Sequence, residues 1–428
     1  MKFEQLHPAD QLVEMMNRIY KYGMTTTSGG NLSVRDKNGD IWITPSGVDK
    51  GSLTRDDIMQ VKPDGTCIGK HKPSVEFTFH RDIFLSRPDI NGIVHAHPPV
   101  MVGFSLVRES PDMRILPEVY HTCGDMERVP YNPPGTPELG RDIAEKFAAG
   151  SNTVLMENHG VVCGAKDLMQ AFSSFETVVL GASVQLKAMK LGRVNSLTDA
   201  QIACAMQADV LPEADEAHEV SAEEQKLREQ LCAFSRRCYD RKLFNSAWGT
   251  LSVRGQDGSM LITPADKDRM NLKPEDIVYV SNGAAESGKL PGEAVRLHMQ
   301  IYEAHPQINC VMITHSPAIL SYAVAGEKFD TRMISECYII LGDVQSVNSE
   351  TGALDAQKIA SMFGRRKFAV LADNRCAVVT GASLINAFDR AEVMEYSAEA
   401  VITALGAGNP VMMSNDEVSY TDRACNIL

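Results

Sequence analysis

Two hydrophobic patterns follow one another at the start of the chain. Between positions 10 and 21 the apolar residues recur every three or four positions, from Leu12 to Ile19, and this spacing predicts an amphipathic helix. From Asn31 to Thr44, apolar and polar residues alternate on both sides of Asn38-Gly39. That dipeptide favours a tight turn between antiparallel strands, so the segment predicts a β-hairpin.

Further along the chain, helical and extended patterns alternate. Helices are predicted over Ser74 to Ser86, over Pro137 to Ala149 and from Leu168 onward. The apolar runs in "INGIVHAHPPV" and "TVLMENHGVVCG" are short and rich in β-branched residues, which favours buried strands. Hairpin strands combined with long helices indicate an α/β fold in which helices cover a mostly antiparallel sheet.

The whole pattern occurs twice. The stretch "GNLSVRDKNGDIWITPSGVDKGSLTRDDI" from Gly30 is repeated as "GTLSVRGQDGSMLITPADKDRMNLKPEDI" from Gly249, and "RPDINGIVHAHPP" is repeated as "HPQINCVMITHSP". Each copy is about 200 residues long, which suits a complete domain rather than a solenoid unit. We therefore predict a tandem duplication with domains at 1–198 and 222–428, joined by a helix and linker at 199–221.

Composition excludes several classes of protein. With 44% hydrophobic and 23% charged residues, the 428-residue chain is ordinary for a globular protein, and we expect it to be cytoplasmic because neither a signal peptide nor a transmembrane run is evident. A net charge of −13 argues against nucleic-acid and anionic-membrane partners. The ten cysteines lack any regular spacing and are expected to be reduced.

The first candidate for chemistry is the pair His95 and His97. Side chains alternate along a strand, so residues two apart point to the same side and the two imidazoles converge. A polar pocket can satisfy such a pair by hydrogen bonding. The pair can equally hold a metal ion, for which imidazole nitrogens bind at about 2.0–2.1 Å.

Three further residues have ordinary explanations when taken singly. His159, in "ENHGVVCG", can cap a turn between two strands. Glu76 falls in the first turn of a predicted helix, where the helix dipole favours an acid, two residues after Ser74, a possible N-cap. His80, one helical turn beyond Glu76, suits a satisfied buried histidine.

Taken together, the motifs of the first copy resemble a known family. The series S-G-G-N-x-S-x-R, I-T-P-S-G, K-P-S-x-E-x3-H, H-A-H-P and N-H-G is ordered, spans about Thr25 to Leu180, and is similar to the class II aldolase/adducin family, typified by fuculose-phosphate aldolase. The resemblance implies two tandem three-layer class II aldolase-like α/β domains. It also implies that His95, His97 and His159 bind Zn²⁺ or another divalent metal, with Glu76 as a further metal contact and as the acid/base.

The resemblance further implies a lyase that cleaves a carbon–carbon bond in a small sugar phosphate or acidic sugar derivative. A metal with three nitrogen ligands polarises a bound carbonyl, and a nearby carboxylate moves the protons. The turns that would hold the phosphate have small side chains and free N–H groups, or a helix N-terminus. Their candidate residues are Ser28, Gly30, Asn31, Ser46, Gly47 and Ser74. Val75 departs from the family, which usually has a second serine there, so the substrate's anion can also be a carboxylate.

The second acid is the weaker part of this assignment. In the family's sugar-phosphate aldolases, a tyrosine in this region protonates the leaving group in a neighbouring subunit's site, and the alignment brings His121, with Tyr120 beside it, to that position. Decarboxylation and epimerisation, which relatives perform with the same metal site, therefore stay open alternatives. A non-catalytic, adducin-like interaction protein is another, although a scaffold does not require all three histidines and Glu76.

The second copy has lost most of this set. Ala294 aligns with Glu76, Ile313 with His95 and Arg375 with His159, while His315 keeps the place of His97 and Glu293 lies one residue from that of Glu76. A lone histidine does not hold catalytic zinc, so this copy is expected to fold and to be silent. Family members form rings of four, so we expect a homo-oligomer: a dimer that supplies four domains, or a tetramer.

Overall fold

A computed structural model describes residues 3–207, 209–214, 218–265 and 267–427. Its contacts divide the chain into two compact units. The first comprises Met1–Met113 and Val119–Ala182, and the second comprises Arg114–Glu118 and Ser183–Leu428. Each unit contains one eight-stranded sheet, and the two sheets have the same strand order. This confirms the predicted α/β class and the predicted pair of mostly antiparallel sheets covered by helices.

The first sheet is built from the first eight strands in the order β4-β3-β2-β1-β5-β8-β7-β6. These strands are β1 (Asn31–Arg35), β2 (Ile41–Ile43), β3 (Met59–Val61), β4 (Cys67–Ile68), β5 (Gly92–Ala96), β6 (Glu127–Val129), β7 (Thr153–Met156) and β8 (Val161–Ala165). Neighbours are antiparallel except β6 and β7, which are parallel. The helices are α1 (Pro8–Lys21), α2 (Phe77–Ser86), α3 (Pro99–Val107), α4 (Pro117–Cys123), α5 (Pro137–Ala148) and α6 (Leu168–Leu191).

The second sheet has the order β12-β11-β10-β9-β13-β16-β15-β14. Its strands are β9 (Thr250–Arg254), β10 (Met260–Ile262), β11 (Val278–Ser281), β12 (Ala284–Ala285), β13 (Cys310–Thr314), β14 (Val344–Val347), β15 (Ala369–Ala372) and β16 (Cys376–Gly381). The helices are α7 (Asp199–Ala205), α8 (Ala222–Asp240), α9 (Val295–Ala304), α10 (Pro317–Ala325), α11 (Ser335–Leu341), α12 (Ala356–Ser361), α13 (Leu384–Ala404) and α14 (Asn415–Ala424).

The helices and the hairpin follow the hydrophobic pattern with small shifts at their ends. The hairpin pairs Arg35 with Ile41 across the predicted Asn38-Gly39 turn. The helix predicted from Ser74 begins instead at Phe77, with Glu76 as its N-cap, because Ser74 accepts a hydrogen bond from the Glu76 N–H in a preceding turn. In the expected linker, α7 forms the predicted helix, whereas Ala208 and residues 215–217 lie outside the described residues.

The hydrophobic core of the first unit fixes the strand that carries the candidate histidines. Side chains of α2 and α5 pack on the sheet around Ile93 of β5, which is fully buried. All ten cysteines are free thiols, as predicted. Among the helices that the structure describes, none is both long enough and apolar enough to cross a membrane.

The start of β5 has little spare volume. A Cβ added at Gly92 would approach backbone atoms of Asp167 and Leu168 to 2.4 Å, so one of the two segments would have to move. Gly92→Ala is expected to lower the free energy of unfolding by about 1–3 kcal/mol, the usual cost of overpacking. Urea denaturation of the purified protein measures this change.

Gly103 provides the matched control. It lies inside α3, and a Cβ there meets nothing within 4 Å among the described residues. Gly103→Ala should be neutral or should stabilise the protein by up to about 1 kcal/mol, because alanine is the better helix former. Equal stability of the two variants would show that the close contact at Gly92 is not a constraint.

Candidate functional site

Three histidines converge beyond the end of β5. His95 is the fourth residue of that strand, His97 follows directly after it, and His159 lies in the turn between β7 and β8. The Nε2 atoms of His95 and His97 are 3.0 Å apart, and one nitrogen from each of the three rings falls within 4.8 Å of the others. The antiparallel pairing of β5 with β8, which joins Ala96 to Val161, brings the turn to the histidine strand.

The backbone fixes the orientation of His95. Its Nδ1 lies 3.0 Å from the carbonyl oxygen of Val161 and donates a hydrogen bond to it. Because Nδ1 is used in this bond, Nε2 is the nitrogen that faces the other two histidines. Such an orientation is typical of a metal-binding imidazole.

Two glycines leave the space that His97 occupies. A Cβ added at Gly160 would lie 2.6 Å from Cδ2 of His97, and one added at Gly29 would lie 2.7 Å from its Nδ1. Either substitution would push the imidazole away from its place. The glycines of the N-H-G and S-G-G-N motifs thus have a steric reason to be glycine.

Glu76 faces the same point from the N-terminus of α2. It is 5% exposed, and its Oε2 accepts a hydrogen bond of 2.8 Å from Nδ2 of Asn31. Oε2 also lies 3.3 Å from Nε2 of His95, and Oε1 lies 3.5 Å from Nε2 of His159. Burial opposes ionisation of this carboxyl, but His95, His159 and Asn31 outweigh it and lower the pKa of Glu76.

The donor set suits a divalent metal. Burial lowers the pKa of His97 to about 3 and that of His159 to about 4, so both imidazoles are neutral at physiological pH and can act as ligands. Oε1 of Glu76 and Nδ1 of His159 are buried and have no hydrogen-bond partner among the described residues. Buried polar atoms left in this way, beside three nitrogens facing one another, fit a bound cation.

His80 is the satisfied, buried histidine that sequence analysis expected, but sequence analysis missed its partners. The ring is fully buried and bonds Ser33 on one side and Asn31 on the other. Asn31, predicted to hold the substrate's anion, uses its side-chain amide for Glu76 and His80. The K-P-S-x-E-x3-H spacing was the available signal, because it puts His80 one helical turn after Glu76.

The turns predicted to bind an anion have mixed environments. Ser28 is exposed, Gly30 and Gly47 adopt positive φ values of 73° and 69°, and Ser74 is buried. The N–H of Ser46 is already used, since it donates to the Lys72 carbonyl. Gly47 is open to the surface, and an added Cβ there would meet nothing within 4 Å in the described chain.

Lys50 links these turns and was also missed by sequence analysis. Its backbone N–H donates to the Thr27 carbonyl and its Nζ donates to the Pro45 carbonyl. The side chain is buried, and burial lowers the pKa of Lys50 to about 8. A signal existed in the repeat, because the second copy has Arg269 at the aligned position, and its guanidinium also bonds backbone carbonyls.

The first unit does not bring Tyr120 or His121 to the histidine cluster. The hydroxyl of Tyr120 donates to Asp125 over 3.5 Å. His121 is exposed and lines a groove of about 500 Å³ with Ile90 and Gly164, which lie at the opposite end of β5 and β8 from His97. Their predicted part in catalysis therefore stays a prediction about a neighbouring subunit's site.

The second unit has a different cluster at the aligned positions. His315 is bracketed by two carboxylates, with Nε2 3.8 Å from Glu118 and Nδ1 3.6 Å from Glu293. Nη2 of Arg375 lies 3.4 Å from Oε1 of the same Glu118. Trp248 takes the place of Gly29, with its ring centroid 6.3 Å from that of His315.

Charge in the second cluster is nearly self-compensated. Burial opposes protonation of His315, but Glu293 and Glu118 outweigh it and raise the pKa of His315. Burial likewise opposes ionisation of Glu118, yet Arg375 and His315 lower the pKa of that carboxyl. Glu118, Glu293 and His315 are close enough together to serve as metal ligands, but an arginine already supplies positive charge there.

The sequence matches a known family in two segments. The family described as "Class II Aldolase and Adducin N-terminal domain" matches residues 10–186 and again residues 229–402. A 3-oxo-tetronate 4-phosphate decarboxylase of Haemophilus influenzae is 28% identical over 195 residues, which are 45% of this chain and 92% of that protein. An L-fuculose phosphate aldolase of Methanocaldococcus jannaschii is 32% identical over 177 residues, 41% of this chain and 94% of that protein.

Solved structures match the same share of the chain. One is a putative aldolase/epimerase/decarboxylase from Escherichia coli, with 26% identity, a TM-score of 0.43, and coverage of 46% of this chain and 95% of that one. The family match covers well over half of the residues in two separate segments. The chain therefore belongs to the class II aldolase/adducin family, of which it carries two tandem copies.

Proposed function

We propose that the first copy is a zinc-dependent lyase that breaks a carbon–carbon bond in a small sugar phosphate or acidic sugar derivative. The observation that carries this proposal is the convergence of three imidazoles, from His95, His97 and His159, beside the buried carboxylate of Glu76. An adducin-like scaffold has no need for such a set, because leaving its polar atoms unpaired in a buried site costs stability.

The metal, once bound by the three imidazoles, would polarise a substrate carbonyl and stabilise the negative charge left when the adjacent bond breaks. Glu76 is ionised and therefore acts first as a base. After accepting a proton, it can return that proton to the substrate carbon. Asn31 holds one oxygen of Glu76, and the other oxygen is left for the proton.

The substrate's phosphate or carboxylate would lie at the turns around Ser28, Gly30, Ser46, Gly47 and Ser74. Gly47 is open, and the buried Lys50 ties the segments that carry these turns together. Lys50 contributes positive charge as long as the pH is below its lowered pKa. These features support a small anionic ligand rather than a long polymer.

Decarboxylation is a second candidate, favoured by one observation. Aldol cleavage in this family uses a second acid/base group at the substrate hydroxyl that becomes the aldehyde, and neither Tyr120 nor His121 lies at the cluster within the first unit. Loss of CO₂ needs only one proton delivered to the carbon that CO₂ leaves, and Glu76 can relay that proton from water. Assays with ketose phosphates and with 3-oxo acid phosphates distinguish the two reactions by their products, an aldehyde in one case and CO₂ in the other.

For the second copy, we infer that the cluster around His315 is an ion network that replaces a metal site. Each ring nitrogen of His315 faces a different carboxylate, and Arg375 occupies the place aligned with His159. Fixed positive side chains thus balance Glu118 and Glu293. This copy is expected to be catalytically silent, and a homo-oligomer that contains both copies stays part of the proposal.

Metal analysis tests the first copy directly. His97→Ala should abolish binding of the single metal, because two remaining imidazoles with Glu76 do not close the site. The measurement is metal content of purified protein by mass spectrometry, with turnover measured in parallel. His315→Gln is the matched control and should keep one metal per chain; unchanged metal content in His97→Ala would contradict the assignment.

Replacing Glu76 separates proton transfer from metal binding. Glu76→Gln keeps the size of the side chain and the three imidazoles, so the protein should fold and bind metal. Turnover should fall by about 10²–10⁴-fold, the usual contribution of an acid/base. Steady-state kinetics on the best substrate give this ratio. Wild-type turnover in the variant would show that Glu76 only caps the helix and is not the acid/base.

The ion network predicts a definite pH dependence of stability. The pKa of His315 is raised in the folded protein. Its contribution to the free energy of unfolding is therefore fully present below the unfolded-state pKa of about 6.5, and it is lost as the pH rises through the folded-state pKa. The loss of unfolding free energy in His315→Gln should therefore be larger at pH 6 than at pH 9. Chemical denaturation at both pH values measures it.

His298 provides a control of the opposite sign. Burial lowers its pKa to about 3. Through this residue, the wild-type protein therefore loses free energy of unfolding as the pH falls below about 6.5. The destabilisation caused by His298→Gln should then shrink toward acid pH, while that of His315→Gln grows. The same trend in both variants would show that His315 is neutral in the folded protein.

A further inference from the structure

Lys50 carries a buried positive charge that has no counter-ion in the described part of the chain. The residue is 3% exposed, and its Nζ donates one hydrogen bond, to the carbonyl oxygen of Pro45. An ammonium group has three donors, so two are left over. Burial is the one cause that shifts the pKa of Lys50, because no described carboxylate stabilises its charge. The adjacent acid, Asp49, directs its carboxylate to Gly51 and Ser52 instead.

A buried charge of this kind costs free energy. Removal of an ammonium group from water is unfavourable unless a negative charge or a full set of hydrogen bonds replaces the water. Lysines are therefore almost never fully buried without a partner. A contact that only joined two loops could use an uncharged donor. The unpaired charge of Lys50 therefore indicates that an anion from outside the chain completes its surroundings.

Lys50 is bonded to both glycine turns of the candidate anion site. Its backbone N–H donates to the carbonyl of Thr27, which precedes the first turn, and Nζ donates to that of Pro45, which precedes the second. In the second turn, Gly47 is exposed and has a φ of 69°. Gly47 follows Pro45 by two residues, which span at most about 7 Å. An anion at this open turn would therefore lie close to the ammonium group.

The second copy offers an internal comparison for the buried cation. Arg269 aligns with Lys50 and is also buried, and its backbone N–H makes the equivalent bond to the preceding loop. Its guanidinium donates to three backbone carbonyls, those of Gly249, Ala265 and Lys267. A cation at this place is thus compatible with the fold in both copies, but the arginine is bonded far more fully than the lysine.

The sequences of the two turns differ in charge. Asp266 aligns with Gly47, although it lies outside the described residues. The second copy thus encodes a carboxylate three positions before its buried cation, whereas the first copy encodes a glycine at that position. An added Cβ at Gly47 would meet nothing within 4 Å in the described chain, so the first copy has open space there.

We propose that Lys50 is the cation of the anion site, and that the phosphate or carboxylate group of the substrate neutralises its charge. The inference rests on the proposed function, because the anion is taken to belong to the substrate of the first copy. One donor of the ammonium group holds the Pro45 carbonyl, and the other two are offered to the anion at Gly47. This charge compensates for Val75, which has no hydroxyl to donate.

Gly47→Asp and Gly47→Asn test the proposal as a matched pair. Aspartate and asparagine have the same size and both tolerate a positive φ, so the variants differ in charge alone. Binding of inorganic phosphate to the zinc-loaded full chain is measured by calorimetry. Gly47→Asp should bind phosphate about 10–100-fold more weakly than Gly47→Asn, because its carboxylate takes the anion's place beside Lys50. Equal affinities would overturn the proposal.

Lys50→Met and Arg269→Met separate the anion from the fold. Both remove a buried cation that bonds backbone carbonyls, and thermal unfolding records the loss of stability in each. Only Lys50→Met should weaken phosphate binding, by about 10–100-fold, and Lys50→Arg should restore most of it because the charge returns. Equal phosphate affinity in the two methionine variants would show that Lys50 serves the fold alone and would overturn the proposal.

Kinetics provide a second readout where a substrate is turned over. Lys50→Met should raise KM by about 10–100-fold and keep kcat within about threefold, because the anion is held equally before and during the reaction. A lower kcat with unchanged KM would overturn the proposal. If no substrate is turned over, the proposed function fails, but the phosphate measurements still decide the role of Lys50. Titration with acetate in place of phosphate shows which anion the site prefers, and binding of neither would overturn the proposal.

Discussion

The first unit depends on the burial of one carboxylate against three imidazoles. Leaving a buried polar group without its full set of partners costs about 1–3 kcal/mol, and this site contains several such atoms. The rest of the fold compensates for that loss of stability, because β5 pairs with strands on both sides and α2 packs on the hydrophobic core. The histidines are held by rigid strand ends rather than by long loops, which suits a site that must keep a fixed geometry.

The two copies share one backbone fold but balance the buried charge at the aligned site differently. In the first unit, Gly29 leaves room beside His97, and charge is left for a cation to balance. In the second unit, Trp248 fills the aligned position and Arg375 brings a permanent positive charge next to Glu118. Ala294 replaces the carboxylate of Glu76, and Thr250 replaces the amide of Asn31. The two residues that bond each other in the first copy are thus replaced together in the second.

Much of the fold could be read from the sequence because it is governed by local patterns. The hairpin at Asn38-Gly39, helix α1 and the strand bearing His95 all follow from hydrophobic period and turn chemistry. Alignment of the repeat then predicted the same elements in the second copy. The start of α2 was set too early, because Ser74 uses its side chain for a turn that precedes the helix.

The parts that sequence analysis missed are long-range polar contacts. His80 is 49 positions from Asn31, and nothing in a single sequence shows that they touch. Lys50 was overlooked because a lysine is normally exposed, and its burial depends on the Pro45 carbonyl. Glu118 belongs to none of the motifs in the sequence, and only the structure brings it beside His315.

Under the proposed function, the ionised carboxylate of Glu76 moves protons in either reaction. In aldol cleavage, Glu76 can remove the proton of the substrate hydroxyl and then deliver it to the carbon that is left. In decarboxylation, the first transfer is not needed, and Glu76 takes its proton from water before delivering it. The histidine cluster with Glu76 can therefore serve both reactions, and the choice depends on the substrate and on whether a second acid/base group reaches the site. Specificity must then reside in the turns around Gly47 and Lys50, where the substrate's anion would be held.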